Sequence, residues 1–495
     1  MRGIFEDNQA DENHNRNIFY SSEKEAGSGR DLCPSEPAEQ FGTSHDAPDS
    51  NSTQQPTESP GDFSWTERQR VMRNITKIGL ALALAGVAGL PAARADEVTD
   101  WNLTTENAIK TAAVNPGIQG RFLAIVHTAV YDAVNGIVGK YTPYFVTESA
   151  PPGARPEAAA VQAAYTALKA LFPAQTATFD AQLAESLANI PGGDNSLSIL
   201  RGRVWGEHVA NLILAWRATD GFSTPPPPYF GDTNTPGIWR SIATGTNADG
   251  TLPAVFPQMA VLVPFAMTSH SQFRAGPPPA LDSAQYAADV NEVKAIGRFD
   301  SAIRTPEQTQ LALLWQASGA AEENRIARSV VPPDNELVDN ARLFALLNIV
   351  ACDTIIATFD TKYTYNLWRP YHAIRLADTD GNPDTEPDPT WNSLFLAPRH
   401  QEYFSAHAVN TGGIMHVLAR ELGDEHTFTL VARDYPSFTW TFARFSDAAA
   451  QVKEARIWAG IHYRNSCNVG GAVGVAIADY VLDNFLLPLD LEDEQ

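Results

Sequence analysis

Cysteine is nearly absent: three residues in a chain of 495 cannot form a disulfide framework, nor supply a cysteine-based zinc site. Basic residues are scarce as well. Lys and Arg number 35 against 58 Asp and Glu, and the formal charge of −23 would repel a phosphate backbone, so a nucleic-acid partner is not expected. After residue 95 there is no uninterrupted apolar run of about 18 residues, so no membrane span is expected there. What the chain does contain is 44% hydrophobic and 19% charged residues with 34 Pro and 33 Gly, a globular composition that excludes collagen, coiled coil and wholesale disorder.

The first 71 residues are polar, rich in Ser, Glu, Asp, Asn and Pro, and lack hydrophobic periodicity. They read either as a disordered extension or as a segment preceding a true translation start at Met72. Residues 72–95 hold a basic stretch (Arg73, Lys77), an apolar run from Ile78 to Leu90, and Ala93-Arg94-Ala95, the pattern of a bacterial-type signal peptide. Export to the periplasm or medium is therefore expected. The remaining 400 residues, 96–495, carry 26 basic and 44 acidic side chains and read as one domain.

Helical periodicity dominates that region. Phe122, Ile125, Val126, Ala129 and Val130 form one amphipathic stripe within 121–134, and comparable patterns run through 157–171, 176–190, 197–219, 306–317, 335–359, 407–421, 446–461 and 470–485. Pro225 to Pro228, Pro277 to Pro279, Pro332-Pro333 and 378–389 break them apart. The fold class expected is all-α, of helical-bundle architecture.

Chemistry-bearing residues concentrate between 362 and 466. Lys362 and Arg369 lie seven residues apart, about two helical turns, so that on one helix both cations would face the same way, either gripping an anion or as solvated surface charge. Ser405 at a helix start leaves backbone N–H groups free at the positive end of the dipole, with His407 beside it. The alternative is a plain helix cap beside a core histidine. Arg456 and His462 stand about 240° apart on a straight helix, but Gly460 allows the helix to end and His462 to turn back.

In this order and spacing, the three segments resemble the vanadium-dependent haloperoxidases and the type 2 phosphatidic acid phosphatases, and in particular their secreted bacterial branch. The superfamily pattern K-x6-RP is matched by Lys362, Arg369 and Pro370; P-S-G-H by Ser405 and His407, with Phe404 and Ala406 in the other two places; and S-R-x5-H-x3-D by Arg456 and His462, with Ala455 for Ser and Ser466 for Asp. The resemblance implies the helical-bundle fold of that type and a site where Lys362, Arg369 and Arg456, with the N–H groups of Ser405 and Ala406, clamp a tetrahedral oxyanion. It implies His462 as vanadium ligand or phosphohistidine nucleophile, and His407 as acid–base group.

Three activities are compatible with such a site. The first is a haloperoxidase holding vanadate that uses hydrogen peroxide to oxidise a halide, which then halogenates a small organic acceptor. His400 is the halide-site candidate: algal bromoperoxidases carry His at the similar place and fungal chloroperoxidases Phe, so bromide or iodide is favoured. The others are a secreted acid phosphatase and an inactive anion-binding homologue. The loop 378–389 alternates oxygen ligands but has Pro383 and Pro389 where a calcium loop needs Gly and Glu, so a solvated loop is expected. Cys352 and Cys467 remain after position 95, either as buried small hydrophobes or as a disulfide joining the first and third segments. N-terminal sequencing of the exported protein is expected to begin at Asp96, and an intact Met1 would refute a signal peptide.

Overall fold

The computed structural model describes residues 96–190, 196–242, 252–316, 318–433 and 435–489. The polar segment 1–71 and the expected signal peptide 72–95 lie outside the described residues. Within them the fold is mostly helical, with one two-stranded antiparallel hairpin.

Local chemistry sets the helix ends. Helix α1, Glu97–Thr111, opens on a capping box in which Asp96 accepts from the Thr99 amide at 2.8 Å while the Thr99 hydroxyl accepts from the Asp96 amide at 2.9 Å. Helix α2, Pro116–Val138, has Asn115 as cap and Pro at its first position, and closes on Gly139 at φ 70°. Helices α3 (Pro156–Leu171), α4 (Thr176–Asn189) and α5 (Leu197–Arg217) follow, then α6 (Ala284–Ile296), α7 (Pro306–Leu314) and α8 (Ala320–Val330). Next come α9 (Leu337–Tyr365), the short α10 (Pro370–Arg375) and α11 (Ala406–Leu422). The hairpin pairs β1 (Phe428–Val431) with β2 (Thr439–Phe442), and α12 (Phe445–Trp458) and α13 (Arg464–Asn484) complete the chain.

Helix α9 is the axis of the architecture. It packs on α2 along one side and on α11 and α13 along the other; α2, α3 and α5 build one bundle, and α11, α12 and α13 the second. Its 29 residues are long and apolar enough to cross a membrane, yet the whole apolar stretch is buried inside the protein. Most of its buried polar residues find partners there, the Thr361 hydroxyl being an exception. Asp353 accepts the backbone N–H groups of Phe265, Ala266 and Met267 at 2.7–2.9 Å, tying an irregular segment to the axis, and Asn348 bonds Asn324 of α8.

The structure corrects several sequence expectations. The stripe on α2 is no stripe: Leu123, Ala124, His127 and Thr128 are buried while Phe122 is only half-buried, because this helix has neighbours on every side. Helix α9 runs to Tyr365, six residues beyond the expected end at 359. Helices α1, α6, α8 and α10 and the hairpin are not among the expected segments. Cys352 and Cys467 are buried free thiols. They sit in different apolar clusters, one around α2 and α9 and the other around Trp368, Trp391 and Tyr463, so no disulfide joins them. The loop 378–389 is not simply solvated, since Asp380 and Asn382 are buried. Asp380 accepts from the Asn382 amide and the Thr385 hydroxyl, both at 2.8 Å, which occupies the oxygens a cation would need.

His127 of α2 gives the fold a pH dependence. Its Nε2 lies 2.7 Å from Nδ2 of Asn102, and burial, with Arg328 adding repulsion, holds its pKa down at about 3 against an ordinary 6.5. The folded form therefore stays neutral while the unfolded chain takes up a proton. Stability is full above pH 6.5 and is lost progressively as the pH falls from there toward 3. Measured beside His127→Gln, the wild type is expected to lose melting temperature relative to the variant between pH 6.5 and 4; a difference that stays constant over that range would count against a neutral buried His127.

Candidate active site

The first motif is built by ending a helix, not by extending one. Asn366 takes a left-handed conformation (φ 52°) after the last turn of α9, and Pro370 starts α10, so Lys362 and Arg369 lie on different elements and not on one helical face as their spacing predicts. They meet by gripping the same piece of chain. Lys362 Nζ donates to the carbonyls of Gln401 and Glu402 at 2.8 and 2.7 Å, and Arg369 Nε donates to the carbonyl of His400 at 2.9 Å.

Ser405 caps α11, its hydroxyl accepting from the Ala408 amide at 3.4 Å. Its own N–H is committed to the Ser466 carbonyl at 3.3 Å, so the amide open at this helix start is that of Ala406 and not that of Ser405. His407 stands in the first turn.

The third motif turns as Gly460 allows. Helix α12 ends at Trp458, Gly460 adopts φ 75°, and a Cβ there would lie 2.3 Å from the Gly297 carbonyl oxygen. Only Gly permits this contact, and it sends His462 back toward the side of Arg456. Arg456 donates to the Trp315 carbonyl at 2.8 Å.

Two hydrogen bonds fix the state of His462. Its Nε2 lies 3.0 Å from Arg369 Nη1, and a guanidinium only donates, so Nε2 holds a lone pair. The ring proton is therefore on Nδ1, which donates to Oε1 of Glu402 at 2.8 Å; the Tyr463 amide donates to the same oxygen at 3.0 Å. His400 Nδ1 stands 2.9 Å from Arg369 Nη2 and 3.1 Å from the Gln401 carbonyl oxygen. His400 is 7% exposed, so it is not a surface histidine.

Lys362, Arg369, Arg456 and His462 are all at most 2% exposed. Burial and Arg369 together push the Lys362 ammonium well below its ordinary pKa; burial brings Arg369 down to about 10 and Arg456 to about 9. His407 and His462 fall well below the ordinary value for the same first reason, with the neighbouring cations adding to it. Glu402 is pushed up to about 7 by burial, against the pull of Lys362 and Arg369. These shifts mark a site short of negative charge.

His400, Ala406, His407, Arg456 and His462 line one cavity of about 420 Å³. Val255, Phe256, Ile355 and Phe359 form an apolar wall to it, while Gln316, Ser318 and Glu323 bring polar groups. Glu323, fully buried and raised to about 7 by burial, accepts from Asn410 at 2.6 Å and Thr411 at 2.5 Å. Four buried polar atoms on this lining have no partner: Arg456 Nε, His407 Nε2, Gln316 Oε1 and Ser318 Oγ. Unpaired donors beside buried cations suit an oxyanion such as vanadate or phosphate. Among the described residues no cluster of three or more His, Cys, Asp or Glu offers an alternative metal site. Sequence spacing did not reveal Glu402 or Glu323. Neither belongs to a motif of fixed spacing, and each makes its contact across 60 or more positions of the chain.

Fold and site together define a class: a helical double bundle around a buried, cation-rich oxyanion cavity with an imidazole lone pair held at its edge. Residues 342–488 match the model of the VCPO second helical-bundle domain. A vanadium chloroperoxidase of Curvularia inaequalis is 28% identical over 187 residues, which cover 31% of this chain and 30% of that protein, so the match spans under a third of its length. Among solved structures, the first bacterial vanadium-dependent iodoperoxidase superposes with TM-score 0.68 at 22% identity, covering 80% of this chain and 98% of that one. A holo-type bacterial vanadium-dependent chloroperoxidase gives TM-score 0.62 at 18% identity with the same coverage. Residues 342–488 thus resemble the second helical-bundle domain of the vanadium chloroperoxidase type, and the fold is that of the bacterial vanadium-dependent haloperoxidases.

Because an anion relieves the repulsion among the three cations, orthovanadate or phosphate is expected to raise the melting temperature. At a hundredfold excess over its dissociation constant the ligand adds about 2.7 kcal/mol, roughly 3 °C for a chain of this size. Arg456→Met is expected to shrink that shift, as read by calorimetry; an unchanged shift would place the anion elsewhere.

Proposed function

We propose that this protein is a vanadate-dependent haloperoxidase that uses hydrogen peroxide to convert a halide to a hypohalous species. The overall change balances as X⁻ + H₂O₂ + H⁺ → HOX + H₂O, and the oxidised halogen passes to a small organic acceptor. The observation that carries the proposal is the convergence of Arg456, His407 and His462 on one cavity, with Arg369 bonded to His462 behind the lining and with Arg456 Nε and His407 Nε2 unpaired.

In this scheme Lys362, Arg369 and Arg456, with the Ala406 amide, hold vanadate, and His462 offers the Nε2 lone pair. Ser405 serves by capping α11. Vanadate, when bound, supplies the Lewis acidity that activates peroxide. His407 is kept neutral by burial and by the cations around it, so it is ready to accept a proton at its unpartnered Nε2 and return it to departing oxygen. Val255, Phe256, Ile355 and Phe359 exclude water from that side of the cavity and offer apolar surface to an organic acceptor. His400, on the cavity lining with an edge-to-face contact to Phe359 (ring centroids 5.4 Å apart), is assigned the halide. The presence of His there, together with the likeness to an iodoperoxidase, supports bromide or iodide. The basic stretch, the apolar run and Ala93-Arg94-Ala95 of residues 72–95 support export.

The same oxyanion cradle would serve a phosphatase acting through a phosphohistidine, so the assay runs both reactions. Bromination of a phenol-red type dye is expected only with vanadate, hydrogen peroxide and bromide together, with little hydrolysis of an aryl phosphate. Hydrolysis without bromination would replace the proposal, and inertness in both would leave an anion-binding protein. His462→Ala is expected to abolish bromination with helix content unchanged. His407→Ala is expected to lose turnover at least a hundredfold while still binding vanadate.

A further inference from the structure

The superfamily pattern wants an Asp four residues after His462, and this chain has Ser466 there. A carboxylate nevertheless reaches the histidine from another motif: Oε1 of Glu402, a residue 0% exposed, accepts from His462 Nδ1 at 2.8 Å and from the Tyr463 amide at 3.0 Å. Glu402 is itself anchored, since its own carbonyl accepts from Lys362 at 2.7 Å and its amide donates to the Leu367 carbonyl at 2.9 Å. The carboxylate therefore has little freedom to move away from the ring.

Behind it lies a second, much smaller cavity of about 10 Å³, lined by Tyr286, Asp289, Glu402, Tyr463 and Ser466 among others. Around it Oε2 of Glu402, Oη of Tyr463 and Oγ of Ser466 are buried without a hydrogen bond of good geometry, the Ser466 hydroxyl lying near enough to the Glu402 carboxyl to lower its pKa. That volume is the size of one water, and those atoms are the partners a buried water needs. The chamber is also where a longer side chain at position 466 would go.

We propose that Glu402 is the positioning residue of His462, replacing a carboxylate at position 466, and that the chamber behind it holds one water bridging Glu402, Tyr463 and Ser466. Glu402 holds the Nδ1 proton and thereby keeps the Nε2 lone pair aimed at the oxyanion site, as a carboxylate behind a ligating histidine does in metal centres. The carboxylate is relocated from the third motif to the second without changing the ring it serves. The effect on oxyanion affinity rests on the function proposed above; the state of the ring does not.

The test reads both. Ring nitrogen NMR of the full-length protein, free of added anion, is expected to show His462 as the Nδ1–H tautomer with a proton protected from exchange. An Nε2–H tautomer would overturn the proposal without any variant. Orthovanadate titration is then expected to show affinity falling 10- to 100-fold in Glu402→Ala. Glu402→Gln, which keeps an acceptor oxygen, is expected to retain the tautomer and most of the affinity. The double variant Glu402→Ala/Ser466→Asp is expected to recover both. Wild-type affinity in a folded Glu402→Ala, or no recovery in a folded double variant, would overturn the proposal. Should the wild type bind neither vanadate nor phosphate, the functional assignment fails while the ring spectrum still decides the role of Glu402.

Discussion

Buried positive charge, solvated by backbone carbonyls more than by carboxylates, is the constraint on which the site depends. Lys362, Arg369 and Arg456 spend their donors on the carbonyls of His400, Gln401, Glu402, Ile461 and Trp315. A carbonyl satisfies an N–H without neutralising the charge behind it, so the hydrogen-bonding requirement is met and the field remains. Had carboxylates done this work, the pocket would already be paired and an anion would gain nothing on arriving. Holding such charge needs rigid surroundings, and the double bundle supplies them: Lys362 sits at the end of a helix buried along its whole apolar stretch, and one short segment, 400–402, is gripped from both sides.

This arrangement also explains why the histidines are neutral. Arg369 touches both His400 and His462, and because a guanidinium cannot accept, it dictates the tautomer of His462. The polarity of the centre is thus set from just behind the cavity lining by one side chain.

The residue types and order of the site were legible in the sequence. Lys362, Arg369, Ser405, His407, Arg456 and His462 stand out by spacing, and the helical pattern located nine segments that are helical in the fold. What spacing misses is geometry made by chain reversal. Lys362 and Arg369 look like one helical face until the left-handed Asn366 and the start at Pro370 separate them. Ser405 looks like an amide donor until its N–H is found on Ser466. Glu402 was invisible because its meaning depends on a contact across 60 positions, and no local period encodes that. Helices α1 and α8 were missed for a related reason: they bury polar residues such as Asn102, Glu323 and Asn324, so their inner faces do not read as apolar.

The close approach of Gly460 to Gly297 has a kinetic side. His462 takes its place only when the turn after α12 has docked against a backbone segment far upstream, and the same cavity draws on residues near 115, 255, 316 and 400. Every one of those closures costs chain entropy before it yields a contact. Completing the cradle therefore carries the loop-closure cost of several distant parts of the chain, and its geometry is a property of the finished molecule and not of any one motif.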